Sequence, residues 1–84
     1  MRLKFPDGYT IPLHWHPDTE RFTVLSGMVM FGVGDAVDPS KTTALGPGSF
    51  VIVPANLHHW LTTKGETILQ GSGTGLFTIN LVKQ

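Results

Sequence analysis

Residues 8–27 read GYTIPLHWHPDTERFTVLSG. His14 and His16 stand two apart at the end of Tyr9–Trp15, a run with strand composition. On a strand, positions i and i+2 share a face, so both imidazoles point one way and Trp15 points the other. Pro17-Asp18 breaks the run, and Glu20 opens the next strand. The chain can therefore turn back and set Glu20 beside the two histidines. Imidazole together with carboxylate suits Mn, Fe, Ni, Zn or Cu, whereas Ca and Mg prefer oxygen ligands alone.

Outward from this stretch, ten glycines and six prolines interrupt the chain too often for a stable helix. The segments between them are rich in β-branched and aromatic residues. They predict strands at Tyr9–Trp15, Arg21–Ser26, Met28–Val33, Ser49–Val53, His58–Thr63, Glu66–Gln70 and Phe77–Val82. Many short strands with turn signals between them imply an all-β sandwich or barrel. Ser26-Gly27 and Lys64-Gly65 read as hairpin turns, and residues 34–45 as an exposed polar loop. Gly71, Gly73 and Gly75 read as a bend; no helix follows them to make a phosphate cradle.

With 84 residues, the sequence accounts for one domain, 1–84. There is no cysteine, so neither a disulfide nor a thiolate ligand can brace it. Six basic residues balance six acidic ones, which marks out neither a nucleic-acid nor an anionic-membrane binder. No apolar run reaches the length of a membrane span. Met1–Phe5 has two basic residues and no apolar stretch behind them, so no signal peptide is expected, and the expected location is cytoplasmic. Only 14% of residues are charged, against about 25% in ordinary domains. A small, weakly charged domain with 40% apolar residues predicts a homodimer, with Trp15 or Trp60 buried at the contact or under a neighbouring strand.

The spacing Gly8-x5-His14-x-His16-x3-Glu20-x6-Gly27 resembles the first cupin motif at every fixed position. Gly48-x5-Pro54-x4-His59, within GSFVIVPANLHH, resembles the second. The resemblance implies an all-β cupin double-stranded β-helix, or jelly-roll barrel. It also implies one divalent transition metal per chain (Mn, Fe, Ni, Zn or Cu), held by His14, His16, Glu20 and His59. Neighbouring strand residues face opposite ways, so only one of His58 and His59 can enter the barrel, and the motif selects His59. Two positions depart from the family pattern: Asn56 stands where it has glycine, and Thr63 where it has asparagine. Asparagine can still adopt the left-handed turn. The segments PDGYTIPLHWHP, GSFVIVPANLHHW and ETILQGSGTGLFTINLV are further similar to a group of small bacterial cupin-domain proteins.

Phe22 and Val24 share the register of Glu20 and are expected to line the barrel. Met28, Met30, Phe50, Ile52, Leu61 and Phe77 are expected as core or pocket wall, and Gln70 as a residue near the pocket. Four protein ligands on a six-coordinate metal leave about two positions for a small-molecule substrate. The function so implied is a metal-dependent small-molecule enzyme, an oxidoreductase such as a dioxygenase, or an isomerase or lyase. The alternative is a non-catalytic ligand-binding or structural metal-binding module.

Overall fold

Two fourteen-residue strands organise the molecule in the computed structural model, which describes residues 1–72 and 80–81. The elements are β1 (Arg2–Phe5), β2 (Thr10–Trp15), β3 (Glu20–Val33), a 3-10 turn (Pro39–Lys41), β4 (Thr42–Leu45), β5 (Phe50–Val53), β6 (His59–Ser72) and β7 (Asn80–Leu81). The long strands β3 and β6 pair antiparallel from Arg21↔Ser72 to Val33↔His59. Near the Glu20 end of β3, β5 flanks β3 and β1 flanks β6. Near the Val33 end, β4 flanks β3 and β2 flanks β6, with β7 beyond β2. The paired long strands thus run through both halves of an all-antiparallel jelly roll, the double-stranded β-helix that the sequence motifs imply.

Gly27 and Lys64-Gly65 do not end strands, as the hairpin reading expects. Both lie inside continuous strands, opposite one another, where the pairing register slips. Gly27 has φ +82° and Gly65 φ +75°, so each supplies a bulge that bends its strand without stopping it. At Gly27 the strands cross so closely that a Cβ would overlap the Glu66 carbonyl and Thr67 Oγ1. Thr67 is fully buried and pins the crossing: its hydroxyl donates to the Gly65 carbonyl at 3.0 Å and accepts from the Met28 amide at 3.3 Å.

The bulge corrects the expected core. Before it, Glu20, Phe22 and Val24 point inward; after it, Val29 is buried and Phe31 packs on the core. An extra residue inverts every later side chain, so Met28 is exposed and Val29 takes its place. On β5 the pairs Glu20↔Val53 and Phe22↔Val51 turn the valines inward, and Phe50 and Ile52 outward. Met30 is half-buried on the outer face, while Leu61 is core as expected. Phe77, Gly73, Gly75 and most of the expected strand 77–82 lie outside the described residues.

Two strands were not legible. β1 pairs with β6 in the register Arg2↔Gln70 to Phe5↔Thr67, and β4 emerges from the expected loop 34–45 by pairing Val29–Gly32. The rest of that loop carries the 3-10 turn, capped by Asp38, whose carboxylate accepts from the Ser40 amide. Trp60 is buried under its own neighbouring strand: its indole lies against Gly32, where a Cβ would collide with the ring.

Candidate metal centre

The histidines are positioned by a bulge in β2. Ile11 pairs with Leu61 and His14 with His59, three steps on β2 against two on β6. Pro12 occupies the slip, where its missing N–H removes no ladder bond. The extra residue puts Ile11 and His14 on the same, inner face although they are three apart. His16 follows just past the strand end and is held by its carbonyl, which accepts from the Asn56 amide at 2.8 Å. Asn56 has φ +66°, the left-handed turn expected of it.

His14, His16 and His59 offer ring nitrogens that all lie within 4.8 Å of one another. Their exposures are 2%, 6% and 4%, and that of Glu20 is 2%. Ring centroids are 4.1 Å apart for His14–His59, 4.8 Å for His14–His16 and 5.2 Å for His16–His59. Glu20 and the three imidazoles line one cavity of about 70 Å³, with Phe22, Leu61 and Leu69 among its apolar walls. The structure brings Glu20 to the same cavity as the three rings.

Backbone carbonyls orient two of the rings. His14 Nδ1 lies 2.6 Å from the Pro12 carbonyl oxygen, and His59 Nδ1 lies 2.9 Å from that of Leu57. A carbonyl only accepts, so each Nδ1 carries the hydrogen and each Nε2 of a neutral ring keeps its lone pair. The Nε2 atoms of His14 and His16 face each other at 3.2 Å. Burial pushes the His59 imidazole down to about 4; the Leu57 carbonyl opposes this, and the neighbouring His14, His16 and His58 rings add to it. His14 is lowered too, chiefly by burial, against the opposing Pro12 hydrogen bond. The fixed tautomers of His14 and His59, with the nitrogen of His16 converging on theirs within 4.8 Å, make a donor set that a transition ion can use, so these residues fit the metal implied by the sequence.

Other sequence expectations resolve with the register. His58 faces out, its Nδ1 2.8 Å from Asp35 Oδ1. Gln70 is outside the barrel, where its Oε1 accepts from Arg2 Nε at 3.1 Å; Leu69 and Gly71 line the cavity in its place. Thr63 is buried and serves the fold rather than the pocket wall. Its hydroxyl donates to the Pro6 carbonyl at 2.7 Å and accepts from the Tyr9 amide at 3.0 Å. The carbonyls of Pro12 and Leu57 escaped the sequence reading. Pro12, two residues before His14, is a usable signal for the first; nothing in a side chain announces the second.

The family described as the cupin domain matches residues 1–71. A cupin superfamily protein from Desulfitobacterium hafniense superposes with a TM-score of 0.72 at 20% identity, covering 98% of this chain and 64% of that chain. An oxalate oxidase superposes with a TM-score of 0.76 at 26% identity, covering 96% of this chain and 44% of that chain. A double-stranded β-helix protein from Klebsiella pneumoniae gives 0.74 at 22% identity, covering 99% and 72%. The chain therefore spans less than two thirds of the length of the first two. None of the curated proteins matches it. Among the described residues, no helix is long and apolar enough to cross a membrane. Matched over residues 1–71 and folded as a double-stranded β-helix, the chain belongs to the cupin family.

Proposed function

We propose that this cupin is a metal-dependent enzyme acting on a compact small molecule, with His14, His16, Glu20 and His59 holding one divalent transition ion. The observation that carries the reading is the trio of buried imidazoles whose nitrogens converge within 4.8 Å. The carbonyl anchors of His14 and His59 support it, because they present Nε2 lone pairs to the cavity. Glu20 adds an anionic donor from the same wall. A bound ion supplies Lewis acidity there and, for a redox-active metal, electron transfer.

The chain's own residues set what can enter. A cavity of about 70 Å³ holds few non-hydrogen atoms. Phe22, Val53, Leu61 and Leu69 exclude bulk water and offer no hydrogen bond, so a substrate must direct its polar atoms toward the histidines and Glu20. No lysine or arginine lines the cavity among the described residues, so nothing in the wall balances the charge of a carboxylate. This favours ligands whose oxygens bind the ion itself. Likeness to an oxalate oxidase supports oxidation of a small oxygen-rich acid as the first reaction to test, ahead of isomerase or lyase chemistry. The reading includes a homodimer, supported by the low charge of the chain.

Elemental analysis of the purified chain, followed by turnover assays on two- to four-carbon acids with the metal found, tests the proposal. The expected result is one ion per chain and turnover that stops in His59→Ala. A chain that takes up no transition metal overturns it.

A further inference from the structure

Among the described residues, the sheet edges on the β1 side and on the β5 side differ in kind. On one side β1 carries Arg2 and Lys4. Arg2 bonds Gln70, and Lys4 Nζ lies 3.5 Å from Glu66 Oε1. Charged side chains on an edge strand discourage the addition of another strand. On the other side β4 and β5 flank β3 in succession, and from Thr42 to Leu57 there is no Asp, Glu, Lys or Arg. Among the described residues β5 pairs with β3 alone. It also holds Phe50 and Ile52 at 59% and 54% exposure. An uncharged, apolar, half-paired edge is a surface for strand addition.

The backbone fixes which residues are available. The Val24 amide donates to the Ser49 carbonyl at 2.9 Å, and the Val24 carbonyl accepts from the Gly48 amide at 2.8 Å. Val24 thus aims its polar groups at the β5 side. By two-residue alternation, Phe22↔Val51 and Glu20↔Val53 are the hydrogen-bonded pairs. Phe50 and Ile52 then turn N–H and C=O to the open edge, symmetrically about Val51.

We propose that β5 pairs antiparallel with β5 of a second copy of this chain, about a two-fold axis through Val51. Phe50 of one copy then stands opposite Ile52 of the other, twice, and each pair exchanges both its N–H···O bonds. Faces match, because opposed residues in an antiparallel pair share a side: Val51 meets Val51 within, and Phe50 meets Ile52 without. The segment is its own complement, as an isologous interface requires. No charge lies on β5 to meet its like, and the formal net charge of zero removes long-range repulsion. Of the two tryptophans expected at the contact, Trp60 is already used within the chain, where it is 4% exposed. The inference deepens the homodimer part of the function above by naming the surface, and it does not depend on the metal.

Sedimentation velocity of the full chain over a concentration series tests it, with metal content measured on the same samples. The chain should dimerise with rising concentration, and Phe50→Lys or Ile52→Lys should each weaken association at least about tenfold. The double variant Phe50→Lys/Ile52→Glu should recover it, since each new ammonium faces a new carboxylate on the other copy. Metal content should stay at the wild-type level throughout. In the unsubstituted chain, protection of the Phe50 and Ile52 amides from hydrogen exchange should rise with concentration. A chain monomeric at high micromolar concentration overturns both the dimer and its surface, even if the edge captures some other extended peptide. A dimer that tolerates both single lysines, with those two amides unprotected, overturns the surface and leaves the dimer.

Discussion

His14 and His59 are direct cross-strand partners, and each ring is held by the carbonyl two residues before it, Pro12 for one and Leu57 for the other. The same local device therefore operates from both sides of the β2–β6 pair. A backbone carbonyl fixes Nδ1–H, and Nε2 is left facing the cavity. Side chains can be substituted without touching such an anchor, so the tautomers are set by the fold itself.

Because His59 is inside and His58 is paired with Asp35 outside, the adjacent histidines should respond oppositely to replacement. His59→Ala should lower metal affinity by more than about 100-fold, beyond what loss of an outer hydrogen-bond partner alone produces. His58→Ala should leave it unchanged. Metal titration of the two variants checks this; equal loss in both would mean that the β6 register is wrong.

Acid should destabilise the metal-free protein in a defined window. The His59 imidazole is pushed down from 6.5 to about 4 in the folded state. Between those values the unfolded chain binds a proton that the folded chain refuses, so stability falls as pH falls through the window. His14 acts in the same direction. The urea midpoint of chelated protein should be lower near pH 4.5 than at about pH 7, and His59→Gln should flatten the difference. Unperturbed histidines would begin to lose metal below about pH 6.5, but rings held neutral by burial should retain it further into acid. Identical midpoints in the native chain at the two pH values would contradict the burial of these rings.

How far the sequence was legible depends on the bulges. The histidine cluster could be read because His14 and His16 sit beyond the Pro12 slip and on the same side of it, so their relative phase survives. The phase of β3 does not survive Gly27. Extending the Glu20–Phe22–Val24 pattern forward selects Met28, which the bulge turns out to solvent. Phe50 and Ile52 misled for a different reason. A four-residue apolar strand gives no internal sign of which parity faces in; its pairing with Glu20 and Phe22 decides that. β1 and β4 are short, and β1 is basic as well, so only partner strands brought by the tertiary fold define them.

The crossing at Gly27 offers a stability test that separates backbone strain from steric overlap. Gly27 and Gly65 both have positive φ, but only at Gly27 would a Cβ meet other atoms. Gly65→Ala should cost about 1–2 kcal/mol, the left-handed backbone penalty alone. Gly27→Ala adds an overlap with the Glu66 backbone and should cost roughly 2–4 kcal/mol. Urea unfolding of both variants gives the comparison, and equal losses would show that β6 relaxes freely at the bulge.

Metal binding, as proposed, should be a large part of folding stability here. A domain this small draws roughly 3–5 kcal/mol of net stability from its core. The ligands come from separate parts of the sheet: His14 from β2 and His16 just beyond it, Glu20 from the first residue of β3, and His59 from the first residue of β6. Partial unfolding that separates any of these strands must also break the site. Free metal at about 100 times its dissociation constant adds roughly 2.7 kcal/mol. At about 4–8 °C per kcal/mol for a domain of this size, the melting temperature should rise by roughly 10–20 °C when metal is restored to chelated protein. Glu20→Gln keeps the side-chain volume and removes the anionic donor, so it should still fold and should show a smaller rise. Calorimetry of the chelated and reloaded forms, with Mn, Fe, Ni, Zn and Cu in turn, measures both effects. Equal melting temperatures with and without bound metal would mean that the core and the strand ladder hold the barrel unaided, and the histidine cluster would then owe its order to the Pro12 and Leu57 carbonyls alone.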